Sequence, residues 1–326
     1  MNRRTIAGTL LALTELGFGG SVIGNLYRPV SDDDAEAAVA AAWDAGIRSF
    51  DTAPHYGLGL SERRLGAVLS DHPRDEYVLS SKVGRLLVPN DYPTGRDSDG
   101  FAVPDTVRRK WDFSKDGVLR SIEASLDRLG TDRLDIVYLH DPDDHWQQAA
   151  DEAMPTLAQL RDEGVVGAIG AGMNQSAMLT RFLRETAADV VMLAGRYTLL
   201  DQSALEDVLP AAIEQGKSVV AVGVFNSGLL AGDRPGAGMK YDYGDAPADL
   251  VDRARMIAEV CEAHGTTLPA AAIAFPFTHP AVVNVTLGMR TSRQVARNIE
   301  LHRSSVPQAL FAYLGSLGLI TYSEGS

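Results

Sequence analysis

Short apolar runs alternate with longer stretches of helical period along most of the chain, which predicts βαβ units and a parallel sheet. The first strand is expected at Glu15–Gly19. Asp32–Asp34 then place three carboxylates at the positive end of a helix, Ala35–Ala45. Arg48–Asp51 reads as the second strand, Ser61–Leu69 as the next helix and Tyr77–Lys82 as the third strand. The clearest helical signal is Ser114–Leu129, where Val118, Leu119, Ile122, Leu126 and Leu129 recur at helical spacing and Gly130 ends the run. Strands at Leu134–Leu139, Val165–Ala171, Val190–Leu193, Ser218–Val222 and Val282–Leu287 are separated by helices at Ala149–Glu163, Gln175–Arg184, Gln202–Gln215 and Leu250–His264. Ser292–Leu301 closes the series, and Gln308–Leu317 reads as an appended helix.

Eight strands alternating with helices predict a closed (β/α)8 barrel, class α/β, as one domain over residues 1–326. A doubly wound sheet is the competing architecture. It calls for a Gly-rich turn after the first strand, and Gly17, Gly19 and Gly20 do not fit G-x-G-x-x-G. Residues 83–114, with Pro, Gly and Asp throughout, read as one long connection, of the kind that is usually functional or disordered.

Composition narrows the partners. A net charge of −13 and a pI near 5.0 argue against binding to nucleic acid or to an anionic membrane. Cys261 is the single cysteine, and there is no Cys/His cluster at zinc spacing, so neither an internal disulfide nor a metal is expected. No stretch approaches the roughly 20 apolar residues of a membrane span. Arg3-Arg4 and the run Thr5–Thr14 resemble an export leader, but Glu15 interrupts them and no small-residue cleavage site follows. The expected compartment is the cytoplasm.

In barrels of this kind the chemistry sits at the carboxyl ends of the strands. Asp51, Lys82 and His140 fall at the ends of the second, third and fourth strands, and Tyr56 lies in the loop after Asp51. Alone, each has an ordinary structural reading: a helix cap, a snorkelling lysine, a hydrogen-bonded histidine, a packed tyrosine. Their joint placement on one rim suits hydride transfer at a carbonyl or carbinol carbon. A tyrosine with an ordinary pKa near 10 needs help to move a proton. Lys82 is expected to lower that value, with Asp51 holding Lys82 and His140 orienting the substrate oxygen.

Phe50-Asp51-Thr52-Ala53-Pro54-His55-Tyr56-Gly57, followed by Ser61-Glu62 and Leu65-Gly66, resembles the signature of the aldo-keto reductase family. Ser81-Lys82, Ser125-Leu126-x-Arg128-Leu129, Asp135–His140 and the Gly288–Asn298 segment extend the resemblance in order along nearly the whole chain. It implies a (β/α)8 barrel, NAD or NADP as cofactor, and Asp51, Tyr56, Lys82 and His140 as the catalytic group. Gly24-Asn25-Leu26-Tyr27 and Trp111-Asp112-Phe113-Ser114 more narrowly resemble the aldose 1-dehydrogenases. The implied reaction is oxidation of an aldose such as L-fucose, L-galactose or D-arabinose at C1 to the lactone. A pyridoxal dehydrogenase, an NADPH-dependent aldehyde or ketone reductase, and a regulatory nucleotide-binding subunit are the alternatives.

The same resemblance supplies cofactor contacts. Gly19 ends the first strand and Gly20 follows it; Asn174, shifted by one position in Gly170-Ala171-Gly172-Met173-Asn174, is the carboxamide partner; Phe225 stacks on the nicotinamide. Asn226, Ser227 and Leu229 follow the pyrophosphate, and Gly288 and Arg290 precede a helix amino terminus suited to the adenosine phosphate. Gln294 stands four residues before Asn298, where many members carry an arginine for the 2′-phosphate; Arg290 and Arg293 flank it, and dual use or a modest NAD preference is expected. For the substrate, His55, Asp112 and Asp141 are the hydroxyl partners, and Trp111, beside Phe113, is the aromatic face for a pyranose.

Overall fold

Residues 1–236, 238–242 and 244–322 are described in the computed structural model. Eight parallel strands form a closed barrel: β1 (Leu16–Gly19), β2 (Ser49–Asp51), β3 (Val78–Val83), β4 (Ile136–His140), β5 (Ala168–Met173), β6 (Val190–Ala194), β7 (Ser218–Val222) and β8 (Val282–Gly288). Each pairs with its neighbour in sequence, and β8 closes on β1 with Val285 opposite Leu16. Sequential parallel pairing follows from crossovers that all turn with the same hand. The helices are α1 (Asp32–Asp44), α2 (Leu60–Leu69), α3 (Lys115–Leu129), α4 (Met154–Asp162), α5 (Ser176–Glu185), α6 (Val208–Glu214), α7 (Leu268–Ala274) and α8 (Ser292–Arg303). Ala248–Ala263 and Gln308–Ser316 are additional.

Strand parity decides what the barrel mouth contains. Successive side chains of a strand point to opposite faces. Val78 belongs to the cluster that fills the barrel, so Ser80 and Lys82 share the inner face, while Leu79 and Val83 pack outward in the larger core. Ile136 and Tyr138 are inner residues in β4, which sets His140 inward as well. Phe50 packs outward, so Asp51 points in. Opposite Lys82 the wall is thinned by Gly172, where an added Cβ would stand 3.8 Å from the lysine side chain.

Most expected elements are present with ends moved by one or two residues. Ser114 caps α3 by accepting from Gly117 N–H at 3.0 Å, and Gly130 ends it with φ +65°. The fifth strand is displaced, lying at Ala168–Met173 rather than Val165–Ala171. Gln202–Gln215 is split into a 3-10 turn, Ser203–Leu205, and α6, which Asp207 caps. Ala149–Glu163 begins in a π-helical turn, Ala149–Ala153, before α4.

Some of the described elements were not expected. Arg3–Thr5 and Ala12–Thr14 form an antiparallel hairpin across the amino ends of the strands, fastened by Ser49 Oγ to Thr14 N–H (2.9 Å) and by the Asn284 amide to Thr14 O (2.7 Å). In the long connection, Arg85–Pro89 and Val107–Trp111 form a second hairpin, with Arg85 opposite Trp111. Helix α7, not Ala248–Ala263, packs against α8 in the ring. Its residues Leu268–Ile273 are all buried, so no amphipathic period marks it.

Candidate active site

At the carboxyl end of the barrel, Lys82 Nζ lies 2.6 Å from Asp51 Oδ2 and donates to Thr52 O at 3.0 Å. Ser80 Oγ donates to the other Asp51 oxygen at 2.8 Å. The ammonium stands 4.7 Å from the centre of the Tyr56 ring. His140 lies edge-on to Tyr56, ring centres 5.6 Å apart, and His55 lies 5.3 Å from His140. Asp51, Lys82 and His140 are buried, whereas Tyr56 is partly open. The four residues singled out in the sequence therefore meet.

Burial opposes the charge on Lys82, but Asp51 and Tyr56 together outweigh it and hold its pKa above the ordinary value. The tyrosine departs from expectation. Burial pushes Tyr56 up to about 12, and the opposing pull of Lys82 does not overcome it. Desolvation of a phenolate beside the Asp51 carboxylate is the larger effect. Both imidazoles are held neutral: burial, then the cations Arg85, Arg109 and Lys82, drive His55 down to about 2, and the same causes lower His140 well below the ordinary range. His140 Nδ1 is buried without a partner, and Nε2 faces Asp141 Oδ2 at 3.7 Å. A proton on Nε2 leaves only a lone pair unsatisfied at Nδ1.

Around this centre runs a polar rim, of which the sequence announced His55, Asp141 and Trp111 but not Arg85 and Arg109. Arg85, the first residue of the second hairpin, pairs with Asp141 and reaches the His55 ring nitrogens at 3.2 and 3.3 Å. Its guanidinium lies over Trp111 at 4.4 Å. Arg109 donates to His55 O at 3.0 Å and pairs with Asp97 (2.5 Å) and Asp99 (3.2 Å). His55, Asp141 and Trp111 thus belong to one network. Asp112 does not: one oxygen accepts from Ser114 at 2.5 Å and the other pairs with Arg120 at 3.2 Å, so it serves the start of α3. Trp111 is 43% exposed, but Arg85, Phe113 and His145 already pack against it.

Residues 15–317 match the aldo/keto reductase family model. The chain belongs to the aldo/keto reductase family. It is 50% identical to a D-threo-aldose 1-dehydrogenase of a Pseudomonas species, with 95% of each chain covered. It is 37% identical to the pyridoxal 4-dehydrogenase of Microbacterium luteolum, with 98% of each covered. Among solved structures, the holo form of an aldo-keto reductase from Bacillus halodurans superposes with a TM-score of 0.75 at 26% identity, covering 95% of this chain and 93% of that one. As an aldo/keto reductase, the protein is an oxidoreductase that uses NAD(P).

The residues that the sequence offers for the dinucleotide, Gly19 and Gly20 apart, lie at or past the ends of β5, β7 and β8. Asn174 stands just past β5, half-exposed, its amide without a hydrogen bond among the described residues. Asn226 Oδ1 is buried and unpartnered, and Asn226 and Ser227 both take left-handed backbone, φ 45° and 57°, in the turn after Phe225. Phe225 is half-buried against the core, and Leu229 is fully buried with its N–H donating to Asn226 O at 3.2 Å, so neither its side chain nor its N–H is offered to a ligand. Gly288 ends β8 in the open, ahead of the N-terminus of α8, which Thr291 caps. Arg290 donates to Leu26 O at 2.8 Å and keeps a buried Nε unpaired, while Gln294 Oε1 accepts from Arg290 N–H at 2.7 Å. Arg293 is exposed beside them. Asn298 is buried, with no side-chain hydrogen bond among the described residues. The Asn174 amide, Asn226 Oδ1 and Arg290 Nε keep hydrogen-bonding capacity to spare, and the N-terminus of α8 suits an anion, so the residues present fit a dinucleotide.

Gly19 and Gly20 have a packing reason as well. A Cβ on Gly20 would stand 2.9 Å from Asp51 O, and one on Gly19 3.2 Å from Thr286 Cγ2. Among the described residues no group of three or more His, Cys, Asp or Glu is placed to hold a metal, and no helix is long and apolar enough to cross a membrane.

Proposed function

We propose that this reductase runs as an aldose 1-dehydrogenase, oxidising the anomeric carbon of a sugar such as L-fucose, L-galactose or D-arabinose to the lactone. The observation that carries it is the linked set Asp51–Lys82–Tyr56 with a neutral His140 beside it, at the mouth of the barrel. The 50% identical D-threo-aldose 1-dehydrogenase supports the substrate class. Tyr56 Oη takes the proton of the C1 hydroxyl as general base. Lys82, fixed by Asp51 and Thr52 O, steadies the phenolate, and His140 Nε2–H holds the same oxygen. The bound nicotinamide supplies the acceptor for the C1 hydride. Asn174, Phe225 and Asn226 are assigned to its nicotinamide and pyrophosphate end. Gly288, Arg290 and Asn298 are assigned to the adenosine end. A cyclic sugar already carries hydroxyl and hydrogen on C1, so no water is consumed in making the lactone.

We propose further that the enzyme works in the cytoplasm as one barrel domain. A panel of aldoses, pyridoxal and simple aldehydes, each with NAD and NADP in both directions, tests the assignment. Aldoses are expected to turn over with lactone as first product. Efficient turnover of pyridoxal or small aldehydes with none of the aldoses would overturn the sugar reading and leave the oxidoreductase intact.

A further inference from the structure

The rim network has a property that the proton chemistry does not need. Arg85 is fixed on three sides, by Asp141, by the His55 ring and by the Trp111 face, although it lies on a hairpin outside the barrel. Asp141 is equally constrained. It sits directly after β4 with φ +43°, left-handed for a residue with a side chain, its N–H donating to Gly172 O at 3.1 Å. Such backbone persists where the surroundings over-determine it, and it clusters at ligand clamps. The turn aims the carboxylate back over the mouth, 3.7 Å from His140 Nε2, with about a third of the side chain open to solvent.

Charge narrows the ligand. Lys82, Arg85 and Arg109 face the carboxylates of Asp51, Asp97, Asp99 and Asp141, and both histidines are neutral. Three cations against four carboxylates leave no surplus for a phosphate or carboxylate group. A fixed donor next to a fixed acceptor suits a hydroxyl, which gives one hydrogen bond and takes another.

We propose that Arg85 and Asp141 form a hydroxyl-reading pair, in which the guanidinium donates to, and the carboxylate accepts from, the hydroxyl on the carbon next to the reacting one of an uncharged polyhydroxy substrate. The inference rests on the aldose reading above. His140 Nε2 holds the reacting oxygen in that reading, so the group on Asp141 is the neighbouring one, the C2 hydroxyl of an aldose. A phosphorylated sugar is rejected by the negative excess of the rim.

The test compares an aldose, its 2-deoxy counterpart and its phosphate ester on the unaltered enzyme and on Arg85→Met, Arg85→Lys and Asp141→Asn. Hydrogen bonds to charged groups are worth enough to predict a kcat/KM preference for the aldose over the 2-deoxy sugar of about 10–100-fold. In Arg85→Met and Asp141→Asn that preference should fall below about 3-fold, mainly through a raised KM for the aldose. Arg85→Lys keeps the charge without the planar fork and should recover part of the preference. Melting temperature and cofactor binding identify any variant that has lost its fold, and Arg85→Lys is the conservative member that keeps the comparison available. A preference that survives in the folded Met and Asn variants overturns the pair. An unaltered enzyme that oxidises aldoses without distinguishing the 2-deoxy sugar overturns the pair and spares the aldose reading. One that oxidises no aldose overturns both.

Discussion

Tyr56 and the two neutral imidazoles set the pH behaviour. Oxidation needs the phenolate, and with Tyr56 near 12 its population rises about tenfold per pH unit through the working range. Initial rates of oxidation should therefore climb with unit slope from about pH 7 to pH 10, with no inflection from His55 or His140 between pH 5 and 8. A bell with an acid limb near 6.5 would show that one of these histidines titrates in turnover. Tyr56→Phe should lower kcat about 10²–10⁴-fold while cofactor binding persists, measured by single turnover and by titration of NAD(P)H. The four residues were legible because each ends a strand or follows one within a dense motif. Arg85 and Arg109 were not: Arg85 is an isolated cation in the long connection and Arg109 stands between Arg108 and Lys110, and only the hairpin turns them to the rim. The direction of the Tyr56 shift was also out of reach, because a lysine can be read from a sequence and the depth of a phenol cannot.

Much of the motif around Tyr56 builds elements and carries no chemistry. Ser61 Oγ donates to Gly20 O at 2.8 Å, Glu62 accepts from Ser81 (2.9 Å) and Arg128 (2.6 Å), and Arg64 holds the carbonyls of Ile23 and Val30 at 2.6 and 2.7 Å. Gly66 allows α2 to touch α3, since its Cβ would stand 2.2 Å from Leu129 O. Gly66→Ala sets backbone against backbone and should cost about 1–3 kcal/mol in a denaturant titration. Ser114→Ala removes the cap of α3 and should cost about 1 kcal/mol by the same measurement. The period of α3 was plain in the sequence because one of its faces is wet. α7 was hidden because its residues are buried all round, and the second hairpin because Arg85–Pro89 and Val107–Trp111 sit among turn-forming residues.

The barrel as a whole gains stability from what it keeps dry. His55 has a folded-state pKa far below the ordinary 6.5, so as pH falls the unfolded chain takes up its proton first. That stability is complete above about pH 6.5 and is lost below it, by about 1.4 kcal/mol per pH unit for each such histidine. His140 adds in the same direction. Melting curves between pH 7 and 5 should show the decline, and His55→Asn should flatten it. Cofactor should act oppositely: at about a hundred times its dissociation constant it adds about 2.7 kcal/mol. Thermal shifts at matched NAD and NADP concentrations then rank the two, and a strong NADP shift abolished by Arg290→Ala would assign the 2′-phosphate to that residue. Finally, the three tryptophans are unequally placed. Trp43 and Trp146 lie beneath Arg48 and Arg181, each 3.7 Å away, whereas Trp111 shares the rim with Arg85. Trp111 makes the mouth optically self-reporting: the emission lost in Trp111→Phe should be the part that shifts when a sugar enters, so occupancy can be followed by light without any added label.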